Sequence, residues 1–471
     1  MQYSVVNYKT VKEKDDFRWD GEFLCFEPKK NPKYKYAQVK DVLKFAQYGI
    51  SIEMNEEGRG YKIYRMNEIS DMFCDLEVDK YADIEEKEMK KFVLKNEDVL
   101  FNRTNSQVFV GRTGIFKKFS DESLIFASYL VRFRPNIEKI LPEYLTTFLN
   151  TKYGVQDVKR RARISINQSN VSSSELQKVE IPLLSINFQN KLEPLFDRAF
   201  QLILNSKSLY SQAEQLLLSE LGLLDWKLKH ELAFVKNFSD TREAQRFDAE
   251  YFQPKYKEIV DVVKKYKGGF IELGKVAKTK RGSLISDTFY NENDGTPYIR
   301  GADFSSGFLS NDKIVYIDNS FVLKTETKIR KGDIVFALIG TVGSSALVDE
   351  NFDEAFISNN IGKITAKIYN STVLQVLLHS IVGKLYFEKE QTQTAQPKIS
   401  DKDIHKFILP RLENKIEKEI ERKYFESQKL KKLSKSLLEI AKRGVEIAIE
   451  KDEKEAKKWI NKELNKLQIK I

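Results

Sequence analysis

Cysteine and histidine are scarce in this chain: 471 residues contain two cysteines, Cys25 and Cys74, and three histidines, His230, His379 and His405. Two thiols cannot build a disulfide framework, and histidines so far apart have no zinc-ligand spacing, so a soft-metal site is not expected. Long apolar runs are absent too. No stretch approaches the ~18 apolar residues of a membrane span. The opening Met1-Gln2-Tyr3-Ser4-Val5 leads into the charged residues 12–16 rather than an apolar signal core. Charge of one sign is in modest excess, 79 Lys and Arg against 69 Asp and Glu, a net +10 that suits an anionic partner without requiring one. The expectation is a soluble, cytoplasmic protein with no membrane contact and no metal.

What is present is enough apolar material for real cores. Hydrophobic residues make up 41% of the chain, with 31 Phe and 21 Tyr, too much for disorder. A length of 471 residues predicts two or three domains at about 100 to 200 residues each.

Their arrangement is a weak, long internal repeat. Arg18-Trp19-Asp20-Gly21-Glu22-Phe23 returns 228 residues later as Arg246-Phe247-Asp248-Ala249-Glu250-Tyr251. Gln168-Ser169-Asn170-Val171-Ser172, followed by Glu175-Leu176 and Ile181-Pro182, returns at the same shift as Gln396-Pro397-Lys398-Ile399-Ser400, Asp403-Ile404 and Leu409-Pro410. Ser206-Lys207-Ser208-Leu209 returns as Ser434-Lys435-Ser436-Leu437. Between these anchors the register slips: Asp98-Val99-Leu100-Phe101 answers Asp333-Ile334-Val335-Phe336, and Gly111 answers Gly343. The chain is a tandem duplication whose interiors have diverged while the frames stayed fixed.

Each half starts irregular and ends helical. Residues 17–182 and 246–410 hold short β-branched and aromatic runs, at 91–101, 123–133, 333–339 and 361–368, broken by Gly, Asn, Ser and Asp. Helices are predicted over 141–153, opened by Pro142, and over 372–388. From about residue 185, Leu195, Ala199, Leu202, Ser206, Leu209, Ala213 and Leu216 recur in steps of three and four. Ile416, Ile420, Lys423, Ser427, Leu430, Ser434, Leu437 and Ala441 do the same in the second half. Small residues on both seams allow close approach, so an antiparallel coiled coil is predicted. Pro194 is expected to kink the first of these helices.

Two globular regions, each followed by a long helix and joined in tandem, resemble the specificity subunits of type I restriction-modification systems. The words that carry the resemblance are Asp98-Val99-Leu100-Phe101-Asn102-Arg103-Thr104, Gly332-Asp333-Ile334-Val335, the two Gln-x-x-(Val/Ile)-Ser words ending in Ile-Pro or Leu-Pro, and Gly444-Val445-Glu446-Ile447-Ala448-Ile449-Glu450. They span essentially the whole chain. Leu183-Leu184-Ser185 departs from the prolines and acids that often open the helix in that family.

The resemblance implies an α+β protein: two mixed α/β target-recognition domains in tandem, separated by long helices in an antiparallel coiled coil, pseudo-two-fold symmetric. The corresponding boundaries are 1–182 for the first recognition domain, 183–245 for the central helical spacer and linker, 246–410 for the second recognition domain and 411–471 for the C-terminal spacer. It also implies a non-catalytic reader of double-stranded DNA, each domain taking one half of a bipartite target. Its partners would be two methyltransferase subunits and restriction/translocase subunits. No cofactor is expected on this chain, S-adenosylmethionine being bound by the methyltransferase partner. A helix of about 35 residues is ~50 Å long, more than the ~34 Å of one DNA turn, so such a spacer can set two readers on one face of a duplex.

Candidate DNA-binding residues follow from chemistry, since cations anchor phosphate and amides read base edges. In the first domain they are Asn102, Arg103 and Asn105 at a strand exit, the cations Lys159, Arg160, Arg161 and Arg163, and the adjoining Asn167 and Gln168. In the second they are Lys278, Lys280, Arg281 and Ser283, with Gln393, Gln396 and Lys398. Ordinary solvated turns use the same residue types. Catalysis has little support. Asn31-Pro32-Lys33-Tyr34 is one residue from an amino-methyltransferase motif, but no glycine-rich cofactor loop accompanies it, and Gly340-Thr341-Val342-Gly343-Ser344 lacks a phosphate-loop lysine. A self-contained DNA adenine methyltransferase and a coiled-coil scaffold are the alternatives.

Overall fold

The computed structural model describes residues 8–12, 21–25, 28–106, 109–165, 168–291, 294–305, 307–309, 314–318, 327–392 and 396–470. Contacts divide the chain into two compact units, one of residues 1–204 with 430–471 and one of residues 205–429. The division runs through both long helices, Glu193–Glu220 and Asn414–Glu450, so each unit holds a part of each.

The first unit is built on a six-stranded sheet in the order Leu43–Tyr48, Leu130–Pro135, Val99–Asn102, Thr113–Ile115, Phe73–Cys74, Ile69–Ser70. Every residue of the central strand Val99–Asn102 is buried, as expected for a strand covered on both faces. Just before that strand, Asp98 is buried and receives both Nε and Nη2 of Arg134, at 2.7 and 2.6 Å, and Nη1 of Arg132 at 3.5 Å. It thereby ties the strand to its neighbour. Helices Pro142–Asn150 and Lys152–Arg161 pack against the sheet, separated by Thr151, whose hydroxyl caps the second through the Gly154 amide. Pro142 opens the first of them as predicted; the cap divides the single predicted helix into two.

The second unit carries a four-stranded sheet in the order Ala277–Arg281, Ile361–Ala366, Ile334–Ala337, Ser345–Leu347. This is the order of the first four strands of the first unit, with Ile334 opposite Ile364 where the first has Val99 opposite Phe133. The repeated aspartate does the same work, since Asp333 is buried, accepts from the Thr365 hydroxyl at 2.7 Å and faces Lys363 at 3.9 Å. Helices Ser371–His379 and Ile381–Glu390 again stand in place of one predicted helix, broken by the cap Ser380. Gly111 and Gly343 both adopt left-handed backbone, at φ 94° and 88°. An added Cβ would meet Val158 at 3.0 Å in one unit and Phe387 at 2.9 Å in the other. The repeat therefore extends to the helix residue each glycine packs beneath.

Both predicted seams form. In the first unit Leu195, Ala199 and Leu202 join the core with Leu437 and Ala441, and the buried Ser434 hydroxyl donates to the Ala199 carbonyl at 2.8 Å. In the second, Ser206 and Ser427 each donate to the other's carbonyl at 2.8 Å. With Lys423 reaching Gln212 at 2.7 Å, partner numbers fall as helix numbers rise, which is antiparallel packing. The contact of Ser206 with Ser427 becomes that of Ser434 with Ala199 when one partner moves forward and the other back by the same repeat length. Pro194 lies in the first turn of its helix, where no backbone N–H is needed, and so does not occupy a helix-interior position that would force a kink. The run at 91–101 begins in the helix Glu86–Phe92 and becomes strand only at Val99.

One short helix was not foreseen by the heptads. After Asp452 caps it, Glu453–Lys466 packs Ala456, Ile460 and Leu464 into the first unit's core. Gly444 makes room, because a Cβ there would meet Ile460 at 2.6 Å.

Candidate nucleic-acid interface

The candidate words of the first unit converge on one small sheet. Strands Arg163–Ser165 and Gln168–Asn170 form a hairpin with Arg163 opposite Asn170. The second strand also pairs with Thr104–Asn105, Asn170 opposite Thr104 and Ser169 opposite Asn105. Residues more than sixty positions apart in sequence thus share a surface. Arg103 locks it: Nη2 donates to Asn170 Oδ1 at 2.9 Å, the guanidinium lies over the Tyr48 ring at 5.1 Å, and Asn170 Nδ2 donates to Thr104 Oγ1 at 3.1 Å. Asn105 Oδ1 accepts the Ser106 amide at 2.8 Å. Arg163 and Lys159 project to solvent. Asn167 lies outside the described residues, and of Gln168 only the backbone placement is described.

The second unit repeats this construction with shorter pairing. Lys398 bridges both Thr392 and Ile339 in antiparallel fashion. These positions answer Asn170, Arg163 and Thr104 within the repeat. Gln396 and Lys398 are exposed; Gln393 lies outside the described residues. Lys278, Lys280 and Arg281 occupy the first strand of the sheet order and are exposed, Arg281 also donating to the Asn359 carbonyl. Lys280 stands opposite Lys363, so that edge concentrates positive charge. Ser283 pairs by its backbone with Ser358, and its carbonyl accepts the Tyr298 hydroxyl at 2.7 Å.

Three candidates belong to the interior instead. Arg160 and Arg161 are 4% and 5% exposed and share Asp157 Oδ1, at 2.5 and 3.0 Å from their Nε atoms. Arg160 also donates to the Phe23 carbonyl at 3.0 Å, and both guanidinium groups lie over the Phe23 ring. Burying these cations requires such pairing, and it leaves them no face for phosphate. Asp157, three and four residues earlier on the same helix, is the sequence signal that separates them from Arg163. Asn102 is fully buried and donates to the Met66 carbonyl at 2.8 Å. The run of cations is therefore the last turn of the helix Lys152–Arg161 followed by the strand Arg163–Ser165.

Two further motifs resolve into helix caps. Asn31 Nδ2 and the Tyr34 hydroxyl donate to the carbonyls of Ile449 and Ala448, at 2.7 and 3.0 Å. They satisfy carbonyls at the end of the second long helix, so the side chains a methyltransferase motif would turn to substrate are engaged in the fold. Arg246, held in place by Asp248, donates to the carbonyls of Lys389, Glu390 and Gln391 at 3.4, 3.2 and 3.1 Å. Its first-half counterpart, Arg18, lies outside the described residues. Among the described residues no helix is long and apolar enough to cross a membrane.

Residues 267–450 match the type I restriction modification DNA specificity domain. The chain is 26% identical over 278 residues to the putative type I restriction enzyme MjaX specificity subunit of Methanocaldococcus jannaschii, covering 58% of this chain and 60% of the relative. It is 24% identical over 176 residues to the EcoKI specificity subunit of Escherichia coli, covering 37% and 38%. The matched regions thus span less than two thirds of either relative. Among solved structures, a type I restriction-modification S subunit from M. genitalium aligns over 88% of this chain and 96% of its own, at 14% identity and a TM-score of 0.37.

Proposed function

We infer that this chain, which carries a type I restriction modification DNA specificity domain at residues 267–450 and the same sheet order in its first unit, is the specificity subunit of such a system. Its task is recognition of double-stranded DNA, with no chemistry of its own. The observation that carries the reading is the paired construction at the strand exits: a hairpin with Arg163 and Asn170 in one unit, and Thr392 bridged to Lys398 in the other. Each unit reads one half of a bipartite target, cations such as Arg163 and Lys398 meeting phosphate and amides such as Asn105 and Gln396 meeting base edges. Because the side chains of the two units differ at matched positions, the half-sites differ.

The long helices are the spacer. At 37 residues the second spans about 55 Å, longer than the ~34 Å of one DNA turn. Seam contacts that exchange under the repeat give two like surfaces, suited to two methyltransferase subunits, which bring S-adenosylmethionine and the reaction. Restriction/translocase subunits complete the assembly in the cytoplasm. Replacing residues 246–410 by the corresponding region of a relative tests the reading, with methylation mapped genome-wide. One half of the methylated sequence should change and the other should stay; a change in both halves rejects two independent readers.

A further inference from the structure

The first unit brings two lysine-rich stretches from distant parts of the chain to one corner, and the hairpin uses neither. Residues 28–36 contain Lys29, Lys30, Lys33 and Lys35 with no acid among them. Asn31, Tyr34 and Lys33 fasten this stretch to the end of the second long helix, the Lys33 ammonium reaching the Lys451 carbonyl at 3.3 Å. The terminal helix Glu453–Lys466 starts there. It buries Ala456, Ile460 and Leu464 and turns Lys454, Lys458, Lys462 and Lys466 to solvent at a constant spacing of four. Residues 456–470 hold five lysines against the single acid Glu463, so they supply four of the chain's ten net charges.

We propose that this corner is a second phosphate-binding surface, which takes the backbone of duplex DNA outside the half-sites. It rests on the DNA-reading function inferred above. Lysines four apart rise about 6 Å per step, so the ridge from Lys454 to Lys466 runs about 18 Å. That length faces about five phosphates of one strand at 3.4 Å each. The nearby acids are engaged locally. Asp452 caps the helix and stands 4.0 Å from Lys33, Glu453 accepts from Ser185, and Glu455 and Glu463 pair with Lys458 and Lys466 at 3.0 and 2.7 Å. Lys454 and Lys462 make no salt bridge among the described residues. A docking face for protein would be poor in lysine and centred on apolar side chains. Exposed here are lysines with Asn461 and Asn465, which also donate to phosphate. A lipid surface would need the helix's apolar face, which is already in the core.

The test uses the full chain assembled with its methyltransferase partners and a labelled duplex carrying the mapped methylation sequence, with affinity measured across a salt series. Lys454→Gln, Lys458→Gln and Lys462→Gln together should lower the slope of log affinity against log salt by about 2 to 3, at about 0.9 per lost contact. Affinity near 0.1 M salt should fall about tenfold or more while the methylated sequence stays the same. Arg at the same three positions should retain the wild-type slope, and loss of slope in that variant as well would mean a structural effect and overturn the proposal. An unchanged slope in the Gln variant overturns it. So does an equal fall when the exposed Lys257, Lys264 and Lys265 of the second unit are replaced by Gln, which would make the effect one of net charge. Loss of methyltransferase co-purification with an unaltered slope would reassign the corner to protein docking. If the unmodified assembly shows no salt-sensitive DNA binding at all, the failure lies with the DNA-reading function itself.

Discussion

Lys117 is a buried cation whose removal has a calculable consequence. Its side chain is 8% exposed, and its ammonium lies 2.8 Å from Glu143, 3.0 Å from Asp197 and 3.6 Å from Glu97. Burial by itself disfavours the charge, but Glu143 and then Asp197 outweigh it, so the group titrates above the ordinary lysine value. A raised folded pKa means that the stabilisation is complete below the ordinary lysine pKa near 10.5 and disappears only as pH rises through the higher folded value. Lys117→Met keeps the stem and removes the charge. Asp197, 57% exposed, regains water, whereas Glu143, 3% exposed, is left as a buried carboxylate without its cation. Breaking a buried pair in this way costs about 3 to 5 kcal/mol. For a unit of this size that is roughly a 10 °C fall in Tm. Calorimetry reads the shift, and hydrogen exchange locates it: protection should drop in Pro142–Asn150 and persist in Ser371–His379 of the other unit. Lys117→Met with Glu143→Met should recover most of the loss, because both charges are then gone. A single variant within about 1 kcal/mol of wild type, or a double variant no better than the single, would refute this account.

The interior and exposed arginines should separate cleanly. Arg163→Ala should weaken DNA binding by the assembled complex about tenfold and reduce the salt slope by about one, with stability unchanged. Arg160→Ala should leave Asp157 with half its cationic support and destabilise the first unit by about 2 kcal/mol; equal salt slopes for the two variants would contradict the burial. Asp75, pushed up to about 6 by burial against a weaker opposing bond from Ser70, should make the first unit lose stability as pH rises from about 4 to about 6. The sign follows because its folded state holds the proton more tightly, giving a stabilisation that is full below the ordinary aspartate value and is gone once pH has risen through the folded value. Asp75→Asn should flatten that decline in urea titrations across the window, and an unaltered pH profile would reject the assignment.

Periodicity made the seams legible. Ala199, Ser206, Ser427, Ser434 and Ala441 are small residues at heptad-compatible spacing, and the structure buries all five. The duplicated Asp98 and Asp333 were legible as a repeat, although their purpose, tying two neighbouring strands, depends on partners about thirty residues away that no local pattern marks. The same limit applied to Asn31 and Tyr34, whose carbonyl partners are more than four hundred residues distant. Arg160 and Arg161 failed as surface candidates for a nearer reason: a run of cations read by composition ignores the acid one helical turn away. The reading of residues 411–471 as one C-terminal spacer did not separate the terminal helix, because its apolar residues Ala456, Ile460 and Leu464 come after a cap that resets the heptad register.

The division of the chain also sets a timetable. The second unit is contiguous, residues 205–429, whereas the first is completed only by residues 430–471. At about 5 to 20 residues per second, a ribosome that has finished residue 204 works for roughly another 13 to 50 seconds before the missing pieces exist. Throughout that interval the first-made sheet lacks Leu437, Ala441 and Ile460 from its core. The second unit, begun later, has all its parts first. A stop codon within residues 430–471 therefore damages the unit that residues 1–204 began, and leaves every part of the other in place.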